Sequence, residues 1–218
     1  VLLGCNNSNK PSNAAGDATE SFTLAWSEYP SWSVFGVADE VGLLDKDKGE
    51  LGTIEEKWGV DIVLTQLGYD ACLDAYSSST TDAVCITNMD ILAPASARNS
   101  VAILPTSTSA GADACIVTGG IQTVDDLKGK ISHGLEKSVS QYMFERALEE
   151  LGQNPADYPF SQKDPELAAQ AMQTKQEDIQ SIVVWNPFVI QTLRVLDGEA
   201  KVLFDSTKIP EEIVDMVV

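Results

Sequence analysis

The chain is 218 residues long and 44% hydrophobic, enough to build a sizeable core in one large domain or two small ones. Its 33 Asp and Glu against 14 Lys and Arg give a formal net charge of -19. That balance excludes a nucleic-acid binder, which needs clustered cations, and an anionic membrane surface would repel the chain. No apolar run of about 20 residues is present to cross a bilayer as a helix, so any membrane link is expected to be an anchor.

The chain opens on VLLGC and continues through residues 6–21, NNSNKPSNAAGDATES, which lack periodicity and read as a flexible tether. SFTLAW then alternates as a strand, SEYPSW breaks it, and SVFGVADEVGLL has helical spacing. GELGTIEEKWG reads as an amphipathic or irregular connector, VDIVLTQL as a strand and YDACLDAYSSS as a short helix. TDAVCITNMDILAPASA gives a buried strand over Ala83 to Thr87, a polar turn at Asn88 to Asp90 and an apolar helical start. In VAILPTSTSAGADACIVT, two strands flank a Ser/Thr/Gly-rich joint. A short helix, a strand near Ile131, a polar turn and a long helix capped by Ser138 follow. DPELAAQAMQTK is a helix with an Asp-Pro start, DIQSIVVWNPFVIQTLRV runs strand, turn, helix, and KVLFDSTKI and PEEIVDMVV supply the last two strands.

Strands alternating with helices make the class α/β with mainly parallel sheets, in which turns after strand C-termini gather at one edge and bind ligands. Cys72, Cys85 and Cys115 lack C-x-x-C spacing and read as buried small hydrophobes, with one disulfide among them the alternative. The single histidine, His133, reads as an exposed loop residue, and no multi-histidine metal site is available. Neither VTGGI nor TSAGA has the spacing of a phosphate-cradling loop, so no cofactor is expected; a G-x-S-x-G elbow is also absent.

In this order, TDAVCITNMDIL, ILPTSTSAGADACIV, VDDLKGKISHGLEKSVSQYMFERALEELG and IVVWNPF resemble the solute-binding proteins of ABC importers in the nitrate, sulfonate and taurine group, over residues 22–218. The resemblance implies a periplasmic-binding-protein type II fold, with two α/β lobes and a hinge cleft. Residues 22–105 would form part of lobe 1 and 106–210 lobe 2, while 211–218 would begin a return to lobe 1 whose remainder follows Val218, leaving part of the lobe 1 core exposed. FTLAWSEYPSWSVFGVADEVGLL, VWNPFVIQTL and VLFDSTKIPEEIVDMVV are similar to the narrower subgroup associated with urea carboxylase. LLGC is similar to a lipobox, which implies a signal-peptide remnant before Cys5, lipid attachment at Cys5, and export to the periplasm or cell surface.

The resemblance implies a small-molecule ligand, ABC permease subunits as partners, a monomer, and no enzymatic activity. First-lobe site candidates are Trp26, Ser27, Glu28, Tyr29, Trp32, Asn88 and Asp90; the second lobe offers Thr106, Ser107, Glu136, Ser138, Trp185 and Asn186. Core packing is the competing role for Trp26 and Trp32, and capping is the expected one for Ser138. Among these turns only Lys137 is basic, whereas Glu28, Asp90 and Glu136 are acidic and aromatics are plentiful. Such a pocket suits a planar nitrogen-rich solute, urea or guanidinium or a related amide or amidine. The alternatives are nitrate, a sulfonate or taurine, a thiamine-pyrimidine precursor, or an enzyme of the pyrimidine-precursor synthase type, whose histidines and cysteine cluster this sequence lacks.

Overall fold

The computed structural model describes residues 19–176 and 179–218. Cys5 and most of the tether lie outside the described residues.

Among the described residues, ten strands form two five-stranded sheets. The first sheet contains β1 (Glu20–Trp26), β2 (Val60–Gln66), β3 (Ala83–Thr87), β4 (Leu104–Thr108) and β10 (Val214–Val217), in the order β2-β1-β3-β10-β4. The second holds β5 (Asp113–Val117), β6 (Ser132–Gly134), β7 (Phe160–Gln162), β8 (Ser181–Trp185) and β9 (Lys201–Asp205), in the order β7-β6-β8-β5-β9. Parallel neighbours require crossovers, and helices provide them. These are α1 (Ser33–Glu40), α2 (Thr53–Trp58), α3 (Tyr69–Ser77) and α4 (Leu92–Ala95) in the first lobe, and α5 (Val139–Glu150), α6 (Pro165–Gln173) and α7 (Phe188–Val195) in the second.

Each sheet is mixed, with four strands running one way and one reversed: β10 is antiparallel to β3 and β4, and β5 to β8 and β9. Both reversed strands are the first that the chain makes after crossing from the other sheet, at residues 109–112 and 206–213. The expected division at 105/106 falls inside β4, which pairs with β10 in the first sheet, so Thr106 and Ser107 stand in the first lobe rather than the second. That strand covers LPTST, residues read from sequence as part of a joint. It tolerates Pro105 because it is an edge strand, where a missing N–H disrupts no inner ladder. His133, expected in an exposed loop, stands half-buried in β6, and burial pushes its pKa down. Cys72, Cys85 and Cys115 are buried free thiols, as their apolar neighbours suggested, and burial raises Cys72 and Cys115 to about 12.

The second sheet is covered on both faces, so DACIV and SIVVW are apolar and wholly buried. Met143, Phe144, Ala147 and Leu148 of α5 join one cluster with Cys115, Val117 and Val183; Ala168, Ala169 and Met172 of α6 and Val189 of α7 join another with Ala114, Ile116 and Ile182. Ser138 caps α5 by accepting from the Ser140 N–H, and Asp164 caps α6 ahead of Pro165 by accepting from the Glu166 and Leu167 N–H groups. In the first lobe α3 packs Cys72 and Tyr76 into the core, while Phe22, Ile103 and Leu104 stay exposed beside an apolar groove.

Glu55 of α2 is fully buried and accepts three backbone hydrogen bonds, from Asp45 and Gly52 at 2.7 Å and from Ile62 at 2.6 Å. A glutamine would turn its amide donor toward one of those N–H groups. Glu55→Gln is therefore expected to cost about 1–3 kcal/mol of stability, read as a lowered midpoint in thermal unfolding; an unchanged midpoint would contradict this role.

Candidate functional site

The parallel strands of both sheets end at the junction between the lobes, and the loops there carry the aromatic groups. Tyr29 and Trp32 lie in the turn after β1, Tyr69 opens α3 just after β2, and Trp185 ends β8. Their rings form a chain: Tyr29 to Trp32 at 5.0 Å, Trp32 stacked on Tyr69 at 5.6 Å, and Tyr69 edge-on to Trp185 at 5.5 Å. The last contact joins the two lobes.

The reversed strands contribute what the parallel ones do not. Because β5 runs antiparallel to β8, its first residue, Asp113, pairs with the last of β8, Trp185. In the first sheet Asp215 of β10 likewise pairs with Thr87, the end of β3. Both carboxylates thus reach the edge where the aromatic loops converge. Tyr29, Trp32, Tyr69, Thr87, Asp113, Val139, Trp185 and Asp215 enclose a cavity of about 10 Å³, near the size that one water needs.

Asp113 is 2% exposed and Asp215 is 1% exposed. Asp113 accepts from the Ser109 hydroxyl at 2.5 Å and from the Tyr29 phenol at 3.3 Å. Burial, tempered by the Ser109 hydroxyl and reinforced by the Asp215 charge, pushes its pKa up to about 7. Asp215 accepts from Ser107 at 2.6 Å through one oxygen, while Oδ1 meets no hydrogen-bond donor. Burial raises it to about 6, with the nearby Ser107, Ser31 and Tyr29 hydroxyls holding it lower than burial alone would. A third carboxylate, Asp90, stands behind Tyr69 and accepts its hydroxyl at 2.7 Å and the Val139 N–H of α5 at 3.2 Å. Burial again raises its pKa, and burial plus the adjacent carboxylates keeps the phenols of Tyr29 and Tyr69 neutral and able to donate. Among the described residues, no ion pair involves Asp90, Asp113 or Asp215.

Outside this box lies an open cleft of about 330 Å³, which shares Tyr69 and Trp185 with it. Ser27, Glu28, Asp70, Asp164 and Glu166 line it and, among the described residues, no basic residue does. Burial and the charges of Asp74 and Asp164 raise Asp70.

Of the residues proposed from sequence, Tyr29, Trp32 and Trp185 wall the box, Ser27 and Glu28 line the cleft, and Ser107 and Asp90 hold box residues in place. Thr106 donates to Ser31 at 3.3 Å, one step removed from Asp215. The others serve local structure. The Trp26 ring packs against Gly36, where an added Cβ would come within 2.7 Å of it. Asn88 clamps the second crossing, donating to the Glu212 carbonyl and accepting from the Val214 N–H. The Glu136 N–H donates to the Gln162 side-chain oxygen while the Glu136 carboxylate accepts from the Gln162 N–H, Ser138 caps α5, and Asn186 accepts from the Ile190 N–H at the start of α7. Sequence reasoning missed Tyr69, Asp113 and Asp215. The available signal was a charged residue inside an apolar strand, as in IVDMVV, since a buried carboxylate is costly without a reason.

The two crossings run beside the box and are laced together. Ser206, fully buried, meets the Ser109 hydroxyl at 2.8 Å and accepts from the Gly111 N–H at 2.7 Å; Ser109 in turn holds Asp113. Gly111 has φ +89°, a conformation that favours glycine.

No protein-family model matches the chain, and no curated sequence matches it. Solved structures do. The periplasmic aliphatic sulphonate-binding protein SsuA from Escherichia coli is similar with a TM-score of 0.71 and 20% identity, over 91% of this chain and 65% of that one. The alkanesulfonate-binding protein SsuA from Xanthomonas axonopodis pv. citri, bound to MOPS, gives 0.74 and 19%, over 94% and 66%. The ligand-binding component of an ABC-type import system from Staphylococcus aureus, with zinc bound, gives 0.69 and 13%, over 91% and 66%. The chain therefore spans about two thirds of the length of these structures.

Proposed function

Given the two-lobed periplasmic-binding-protein type II fold of this chain, we propose that it is the solute-binding component of an ABC importer, exported and monomeric, that captures a small nitrogen-rich solute between its lobes and delivers it to the permease. The observation that carries this reading is the aromatic box at the lobe junction, with Tyr29, Trp32, Tyr69 and Asp215 from the first lobe and Asp113 and Trp185 from the second. A solute touching both walls stabilises the closed arrangement over the open one by the contacts that exist only on closure. Urea, guanidinium and related amides or amidines match the chemistry of the lining, since each is planar, stacks on aromatic rings and donates several N–H bonds to carboxylates; at about 10 Å³ the box has room for one water, so the lobes must part to admit such a solute. The solved sulfonate binders bind anions, which need cationic or N–H donors; this box holds two buried carboxylates and, among the described residues, no cationic side chain. The crossings at 109–112 and 206–213 are the natural hinges, and the Ser109–Asp113 bond ties one of them to the site.

Small-angle scattering of the full-length protein tests this. Addition of a nitrogenous solute from this class is expected to contract the radius of gyration as the lobes close, whereas taurine and nitrate leave it unchanged. Contraction with taurine or nitrate alone would overturn the choice of solute. Attachment through Cys5 is a separate expectation: mass spectrometry of the mature protein should find an N-terminal, acylated Cys5, and an unmodified residue upstream of it would refute the anchor.

A further inference from the structure

Resting on that reading, we propose that the site selects for positive charge: its solute is a planar organic cation of the amidinium or guanidinium type, held by Asp113 and Asp215, and neutral amides are rejected.

Charge balance is the first argument. Two carboxylates, each almost wholly removed from water, line one small cavity, and among the described residues no Lys, Arg or His pairs with either. Leaving a buried charge uncompensated costs several kcal/mol; the empty site lowers that cost by holding protons on these carboxyls, and a bound cation takes the protons' place. A neutral amide would satisfy hydrogen bonds and leave the carboxylates' charge uncompensated wherever they are ionised. Asp215 also carries an oxygen without a donor. Ser107 occupies Oδ2 of Asp215, a residue that is 1% exposed and lines the cavity; Oδ1 is buried with no donor in hydrogen-bonding geometry, although the Ser31 and Tyr29 hydroxyls lie near the carboxylate. An amidinium N–H supplies that donor with charge assistance.

The walls make the same selection. Four aromatic residues line the cavity with the carboxylates, and aromatic rings attract an organic cation more than a hydrated metal ion or an anion. A planar cation presents paired N–H groups in the fork that matches a carboxylate, which a tetrahedral ammonium does not. The approach is acidic too. Glu28, Asp70, Asp164 and Glu166 line the cleft outside, with no basic residue among them, so the field concentrates cations at the entrance and repels anions. One wall group speaks for the neutral alternative: the Trp32 indole N–H is buried without a partner and would donate to the carbonyl oxygen of urea. One free donor stands against two carboxylates, and Trp32→Phe, which keeps a ring face and removes the N–H, separates the two cases.

The test is calorimetric titration of the full-length protein with guanidinium chloride, acetamidinium chloride, urea, taurine and calcium chloride, at concentrations far below those that denature. Saturable binding of guanidinium or acetamidinium, at least about 100-fold tighter than urea, retained in Trp32→Phe and lost in Asp215→Asn with an unaltered circular dichroism spectrum, is the expected result. Urea binding as tightly as the cations, and lost in Trp32→Phe, would overturn the charge selection while leaving capture of a nitrogenous solute intact. Calcium displacing guanidinium would overturn the organic cation. Binding of taurine alone, or of nothing, would overturn the selection and the proposed function together.

Discussion

Asp215→Asn is expected to stabilise the empty protein and to abolish its solute binding. Asparagine has nearly the shape of aspartate, and its carbonyl oxygen still accepts from Ser107 in place of the bond that Asp215 makes at 2.6 Å. What disappears is a buried charge that no cation compensates and whose Oδ1 has no donor. Removing such a charge stabilises a folded chain, and each kcal/mol is worth about 2–4 °C in melting temperature for a domain of this size. A rise of that order at about pH 8, where the carboxylate is ionised, is expected. The same change deletes a charged partner of the cation, so affinity for guanidinium should fall at least about 100-fold, near 2.7 kcal/mol. A purely structural aspartate would behave otherwise: its replacement would lower the melting temperature. Opposite signs for stability and binding are the mark of a strained functional site.

Asp113 is held at about 7 and Asp215 at about 6, both above the ordinary carboxylate value of 3.8, with burial as the first cause. The folded empty protein therefore keeps protons that the unfolded chain has already released. Folding is favoured by these groups at low pH, and that contribution is lost as pH rises from about 4 through about 7. Asp90, also raised by burial, adds in the same direction, and the neutral phenols of Tyr29 and Tyr69 do not titrate in this range. The melting temperature of the empty protein should thus fall across that window, while a cation stabilises the ionised carboxylates and removes most of the fall. Affinity for guanidinium should rise over the same window, because protons and solute compete for the same oxygens. Differential scanning calorimetry at a series of pH values, with and without solute, checks both slopes. A flat affinity profile, or a stability of the empty protein that rises with pH, would contradict the account.

Much of the fold was legible because its local signals agree. Alternation marked SFTLAW, unbroken apolar runs marked AVCIT, DACIV and SIVVW, and caps at Ser138 and Asp164 marked α5 and α6. Two strands were harder. FSQ has no apolar run to announce β7, and LPTST carries a proline and polar side chains that an edge position allows and a sequence window reads as a joint. The aromatic half of the site was legible as well, since Tyr29, Trp32 and Trp185 follow strands in the chain and ligands gather after strand ends.

The acidic half was not, and the cause is topological. Asp113 and Asp215 sit near the starts of β5 and β10, and only strand reversal brings those starts to the ligand edge. Reversal depends on which sheet the chain has just left, a relation between segments about a hundred residues apart that no local pattern carries. Tyr69 was read as the first residue of an ordinary short helix, yet it contacts Trp32 and Trp185 from separate parts of the chain. Asn88 and Glu136 erred in the other direction. Both are polar and well placed in turns, but their hydrogen bonds are spent on Glu212, Val214 and Gln162.

The central claim is that the solute sits between the lobes on two buried carboxylates. A crystal structure of the full-length protein with guanidinium tests it most directly. The account predicts a closed molecule with the cation inside the ring of Tyr29, Trp32, Tyr69 and Trp185, its N–H groups within hydrogen-bonding distance of Asp113 and of Asp215 Oδ1. A cation bound elsewhere, or an anion occupying that box, would contradict it.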